Sequence, residues 1–193
     1  MIRAGLLLAA GASRRFGVDD KLLAMLRGRP LIAHAAQAMR LASLDRRIAV
    51  ITDPRLVSHL DDFLIVRVHP GTQSDSLRAG IEAAGTPDRL LIALADMPFV
   101  TAIHLDHVRA ACRDDRPAAS CAGETVMPPA CFPACWLPRL AALTGDRGAG
   151  ALIRALPAEA LVPADGLLAD IDTVADLLDS EGAARPDRPP RIW

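Results

Sequence analysis

The sequence predicts an α/β fold: one three-layer α/β/α domain with a mostly parallel sheet covered by helices on both faces. Three observations carry that reading. Of 193 residues 51% are hydrophobic, and the formal net charge is -1, which suits one domain with a packed core. Residues 4–10 are a short, unbroken apolar run followed by Gly11 and a polar loop, the pattern of a parallel strand buried on both faces. Strand-type and helix-type segments then alternate four times up to residue 113.

After that first strand, RPLIAHAAQAMRLA has helical periodicity, with Leu31, Ala35, Ala38 and Leu41 on one face and Pro30 suited to the first turn. RRIAVIT (46–52) is a second strand, and Pro54 opens a helix over 55–61. LIVRV (64–68) is a third strand. SDSLRAGIEAAG begins with capping-type serines and ends on Gly85, a helix with its C-cap. RLLIALAD (89–96) is a fourth strand that ends in an acid, and Thr101 is the N-cap of a helix over 101–113.

Beyond that point the rhythm changes. AASCA (118–122) reads as a strand, but GETVMPPACFPACWLP has four prolines in 16 residues and predicts a loop with short elements. LPRLAALT is a short helix, and GDRGAGALIRAL a glycine-rich turn with another helix after it. ALVPA (160–164) and LLADID (167–172) are short strands, and 173–180 is a last helix. The domain is expected to span 1–180, with 181–193 a loose C-terminal tail.

Composition excludes several classes. A net charge near zero argues against a nucleic-acid coat or a membrane-surface helix. The N-terminal apolar run is too short to span a bilayer and has no signal-peptide cleavage region, so a cytoplasmic location is expected. The four cysteines contain no CxxC pair, which argues against a structural zinc site. The histidines lack metal-ligand spacing, and His104 with His107 reads as helix surface. No G-x-S-x-G elbow supports serine hydrolase chemistry.

The chemistry centres on LLAAGASRRFG, residues 7–17. Gly11 and Gly17 are six apart and Val18 comes next, so the mononucleotide pattern G-x-x-x-x-G-K-[ST] fails. The dinucleotide pattern G-x-G-x-x-G fails as well. What remains is a strand, a glycine turn, two guanidinium groups (Arg14, Arg15) and a late ammonium, Lys21. Backbone N–H groups and such cations suit phosphate oxygens; the alternative is a solvent loop with ordinary surface charge.

Acids elsewhere complete the picture. Asp96 ends the most apolar strand, where it is either a metal-binding carboxylate at the sheet edge or a cap for the next turn or helix. Asp170 and Asp172 flank Ile171 on one side of an extended segment, and Asp172 could equally cap the last helix. TGDRGAG (144–150) is a helix-start turn or part of a substrate wall. Gln73, Ser74 and Ser76 could cap a helix, read a base, or both.

Together these stretches resemble the nucleotidyltransferases related to the molybdenum-cofactor cytidylyl- and guanylyltransferases. LAAGASRRFG, the later Lys, and GRPL match the family's first signature. LADMP resembles its metal-binding strand end, and GDRGA and DIDT point to the cytidylyltransferase branch. The resemblance implies a nucleotide-diphospho-sugar transferase (GT-A-like) fold. It also implies Mg2+-dependent (or Mn2+-dependent) transfer of CMP from CTP to the terminal phosphate of a molybdopterin-type acceptor.

Carried over residue by residue, Leu8, Ala9, Ala10, Gly11, Ala12, Ser13, Arg14 and Gly17 wrap the nucleotide, with Ser74 and Ser76 near its base. Arg15 and Lys21 hold phosphates, and Asp96 and Asp172 hold the metal. Asp146, Arg147 and Gly148 face the acceptor. Ala at position 10, where the guanylyl branch usually has Gly, favours CTP. Gln73 and Asp75 depart from the commoner apolar or Ser residues. The resemblance extends to a molybdenum hydroxylase apo-enzyme as recipient of the product. The rival readings are a cytidylyltransferase for another small phosphorylated acceptor, and a non-catalytic cofactor-insertion chaperone.

Overall fold

The computed structural model describes residues 1–11, 20–145 and 148–182. Its main sheet is built from β1 (Arg3–Ala9), β4 (Arg46–Ile51), β5 (Leu64–Arg67), β6 (Arg89–Leu94), β7 (Ala118–Ala122), β8 (Thr125–Pro133) and β9 (Leu161–Pro163). A small hairpin, β2 (Met25–Leu26) and β3 (Arg29–Pro30), stands apart. The helices are α1 (Leu31–Leu41), α2 (Gln73–Ala84), α3 (Ala102–Ala111), α4 (Leu137–Ala141), α5 (Gly150–Ile153) and α6 (Val174–Gly182).

The sheet order is β5-β4-β1-β6-β8-β7-β9. β5, β4, β1 and β6 are parallel neighbours; β8 runs against both β6 and β7, and β9 is parallel to β7. One strand therefore opposes the others. Alternate residues of each central strand enter opposite apolar layers. Leu7, Ala49 and Leu91 face α1 and α3, while Leu6, Val50 and Ile92 face α2 and α4. That two-sided burial is why these strands read as continuous apolar runs.

α2 approaches closely. A Cβ added at Gly80 would lie 2.5 Å from Leu6 Cδ1, so only glycine lets the helix backbone rest on β1. Its N-cap is Thr72, not a serine: Thr72 Oγ1 accepts from Asp75 N–H while Asp75 Oδ2 accepts from Thr72 N–H. This capping box accounts for the unusual Asp75. Gly85, at φ 70, ends the helix as expected.

Several expectations are corrected. The proline-rich stretch is not a loop but contains β8, paired with β6 and β7. Its Pro128 and Pro129 fall at the register shift opposite Ala119/Ser120, where no ladder bond from them is needed. Gly123, at φ 56, supplies the two-residue turn that joins β7 to β8. Residues 167–172 form no strand; the segment meets the β6 end through a backbone bond, Ile171 N to Asp96 O. The helix after Asp53 is a 3-10 turn over Pro54–His59, and Leu41 on α1 is exposed.

His104 is not on the surface, although His107 is. His104 lies 3% exposed beneath the sheet, with Nε2 2.8 Å from Ser120 Oγ. Ser120 Oγ donates onward to Pro129 O at 2.8 Å, so the imidazole Nε2–H must be the donor in the first bond. Burial, and next the nearby His107, hold His104 below the ordinary histidine range.

A depressed histidine pKa means the folded state keeps His104 neutral while the unfolded chain takes up a proton. Stability is therefore full above the unfolded value of about 6.5 and is lost as pH falls below it. Thermal melts from about pH 7.5 to about pH 5.5 should show a larger fall in Tm for the native chain than for His104→Gln. Equal falls would contradict the assignment.

Candidate active site

The ligand edge of an open α/β sheet lies at the carboxyl ends of its strands, where the chain order switches direction. Here β1 sits between β4, reached through α1, and β6, reached after β5 and α2. The chain after β1 leaves at that switch point.

Leu8 and Ala9 belong to the strand itself. Leu8 packs towards α2, Ala9 is 2% exposed in the opposite layer, and Leu8 O accepts from Ala95 N at 3.1 Å. Ala10 is half-buried, and Gly11 is exposed just past the strand end. Ala12, Ser13, Arg14, Arg15 and Gly17 lie outside the described residues, as do Asp146 and Arg147.

The chain is described again at Asp20, whose carboxylate accepts from Leu22 N–H and starts a 3-10 turn over Lys21–Leu23. That turn sends Lys21 inward. The residue is only 8% exposed, and Nζ donates to Asp96 Oδ2 at 2.7 Å and to Asp172 Oδ1 at 2.7 Å. Burial alone would lower the ammonium's pKa, but the Asp96 and Asp172 carboxylates more than offset it, and the net shift is upward.

Asp96 lies two residues past β6, ahead of the buried Met97 and Pro98. Asp172 reaches it from far along the chain. Ile171 N donates to Asp96 O at 3.0 Å, and the Ile171 side chain, 1% exposed, joins Leu26 and Leu31 in a small cluster. Asp170 and Asp172 flank this buried side chain in a stretch that forms no strand. Asp170 reaches solvent, yet partial desolvation and the neighbouring Asp172 and Asp96 charges raise its carboxyl pKa.

Asp172 does not cap α6. Thr173 Oγ1 accepts from Asp176 N–H, and Asp176 Oδ2 receives the N–H groups of Asp172 and Thr173. The Asp172 carboxylate instead accepts from Lys21.

The opposite wall rises from α2. Ser74 is 2% exposed and its Oγ donates to Gly145 O at 2.6 Å. Arg78, one turn on, donates to Ala141 O and Leu143 O. Gly148 has φ 48, and a Cβ there would meet Gln73 Oε1 at 2.9 Å. The departure at Gln73 thus packs against a glycine of the TGDRGAG turn. The Ser74 hydroxyl proton is committed to this wall, and Ser76, 9% exposed, lies deeper along α2. Arg78, which the sequence did not single out, ties α2 to the segment ahead of Gly145 through these two bonds.

Could a metal fit? Among the described residues no three of His, Cys, Asp and Glu converge as a metal site. Two carboxylates suffice for Mg2+, which keeps waters and takes the remaining ligands from substrate phosphates. Asp96 Oδ1 is buried and has no hydrogen-bond partner, an oxygen of the hard donor type that such an ion takes. The residues present fit the ion.

An α/β sheet that brings Lys21, Asp96 and Asp172 together at its carboxyl edge is an architecture that suits a nucleotidyltransferase. The chain belongs to the family of MobA-like NTP transferase domains, which it matches over residues 5–163. It is 35% identical over 100 residues to nicotine blue oxidoreductase of Paenarthrobacter nicotinovorans, a match covering 49% of each chain. It is 34% identical over 98 residues to the molybdenum cofactor guanylyltransferase of Cereibacter sphaeroides, covering 50% of this chain and 51% of that one.

The chain thus spans about half the length of the curated relatives it matches. Rv0371c from Mycobacterium tuberculosis H37Rv shares the fold at TM-score 0.81 and 23% identity, covering 95% of this chain and 100% of that one. A structure of Rv0371C in complex with manganese gives TM-score 0.77 at 22% identity over 94% and 98% of the two chains. The sheet is therefore the GT-A-like nucleotidyltransferase sheet that the sequence led us to expect. No helix among the described residues is long and apolar enough to cross a membrane.

Proposed function

We propose that this protein transfers CMP from CTP to the terminal phosphate of a molybdopterin-type acceptor and releases pyrophosphate. The observation that carries the reading is the convergence of Lys21, Asp96 and Asp172 at the carboxyl edge beside β1. A nucleoside triphosphate needs a cation for its crowded charge and a carboxylate pair for its metal, and this edge offers both. Asp96 and Asp172 would hold Mg2+ or Mn2+, which supplies charge neutralisation on the phosphates.

The chain's own residues do the rest. The acceptor phosphate oxygen is already anionic, so its attack on the α-phosphorus requires no strong general base. The P–O bond to the β-phosphate breaks, and pyrophosphate carries the electron pair away. Lys21 and Arg15 neutralise the leaving group. Backbone N–H groups from Ala10 through Gly17 cradle the triphosphate, with Ser76 near the base. Ser74 supports that wall through Gly145. The turn containing Asp146, Arg147 and Gly148 faces the acceptor, and a molybdenum hydroxylase apo-enzyme is the expected recipient of the product.

The choice of CTP rests on Ala10. GTP is the second reading, favoured by the guanylyltransferase among the relatives. Pyrophosphate release should be measured with each common nucleoside triphosphate, Mg2+, and either free molybdopterin or molybdenum cofactor as acceptor. Release that needs both CTP and acceptor is the expected result. Release with GTP alone would reverse the nucleotide assignment. Release with CTP and methylerythritol phosphate alone would favour a different acceptor. No release with any nucleotide would favour the cofactor-binding chaperone.

A further inference from the structure

A lysine that only tracked phosphate oxygens would be expected to present a mobile ammonium to solvent. Lys21 is held differently. Its stem is buried, and Nζ touches one oxygen of Asp96 and one of Asp172 at 2.7 Å each. These are the two carboxylates to which the divalent cation is assigned. An Mg2+ ligated by the same oxygens would approach to about 2.0–2.1 Å, so ion and ammonium compete for one gap. Two cations there would also repel strongly.

We propose that Lys21 is an internal cation that competes with the divalent metal for Asp96 and Asp172, and that nucleotide phosphates relieve the competition by drawing the ammonium away. The proposal rests on the assignment of the metal to these carboxylates. It makes free metal a weak ligand of the nucleotide-free protein and couples metal entry to nucleotide entry. Asp96 Oδ1 is buried without a hydrogen-bond partner, so once the ammonium leaves Oδ2 the whole carboxylate is open to the ion. The Lys21 side chain needs only to rotate towards the phosphates, a movement its flexible four-carbon stem permits.

The test is Mn2+ binding to the nucleotide-free protein, read from the free-ion signal in electron paramagnetic resonance. Lys21→Met should bind Mn2+ at least about tenfold more tightly than the native chain, because a positive charge has left the gap. Lys21→Arg, which keeps the charge, should stay near the native value. Adding Asp96→Asn to Lys21→Met should abolish the gain. A non-hydrolysable CTP analogue should narrow the difference between native and Lys21→Met. Lys21→Gln repeats the measurement with a polar neutral side chain should Lys21→Met not fold.

If Lys21→Met binds Mn2+ no more tightly than the native chain, and Asp96→Asn still weakens that binding, the competition is wrong and the metal assignment stands. If Mn2+ binding ignores Asp96→Asn altogether, the metal assignment fails and the competition with it.

Discussion

Asp96→Asn should lower kcat by about 10²–10³-fold, the usual cost of removing one preorganised electrostatic contact to a transition state. The fold should survive. Asp96 contributes its backbone O to Ile171 N, and that bond needs no carboxylate. Lys21 would keep Asp172 as a partner. Circular dichroism and a thermal melt should therefore look native while pyrophosphate release collapses. Native turnover in Asp96→Asn would remove the metal role from this residue.

Lys21→Met should have a comparable effect on turnover, about 10²-fold or more in kcat, for a different reason. The methionine keeps most of the buried stem but lacks the charge that the proposed mechanism sets against the leaving pyrophosphate. It also leaves the Asp96 and Asp172 carboxylates facing each other without the ammonium between them. In chelator the variant should melt at a lower temperature than the native chain, since two like charges share a half-buried site. Added Mg2+ should recover part of that loss, because a ligand that binds only the folded state raises its stability. The readouts are single-turnover kinetics and paired melts in chelator and Mg2+. Unchanged kcat would show that Lys21 serves the fold alone.

The parallel half of the molecule was legible because its physics is local. β1, β4 and β6 are buried on both faces, so each appears as an unbroken apolar run. Thr101 and Gly85 announced a helix start and a helix end through side-chain and backbone preferences that need no tertiary context. β8 was hidden for the opposite reason. Its prolines argue against a ladder, and only the partners at β6 and β7 show that the Pro128–Pro129 pair falls where the ladder is already broken. His104 was misplaced because α3 is amphipathic enough for either reading. The hydroxyl that accepts its proton, Ser120, lies on another element.

The site was legible as a set of residues and not as an arrangement. Spacing within 7–21 pointed to phosphate, and Asp96 stood out at the end of an apolar strand. Nothing local says that Asp172 meets Asp96. That meeting depends on one backbone bond from Ile171 and on the burial of its side chain against Leu26 and Leu31. Likewise, Ser74 looked like a base-reading or capping serine, and only the fold shows its hydroxyl donating to Gly145 O.

The most direct test of the central claim, metal-dependent nucleotidyl transfer at the Lys21–Asp96–Asp172 edge, is mass spectrometry of the acceptor. The native protein is incubated with CTP, Mg2+ and molybdopterin-type acceptor, with a chelator arm and an Asp96→Asn arm alongside. The account predicts an acceptor heavier by one cytidine monophosphate in the first arm and unmodified acceptor in the other two. Product that forms equally in chelator or with Asp96→Asn would contradict it.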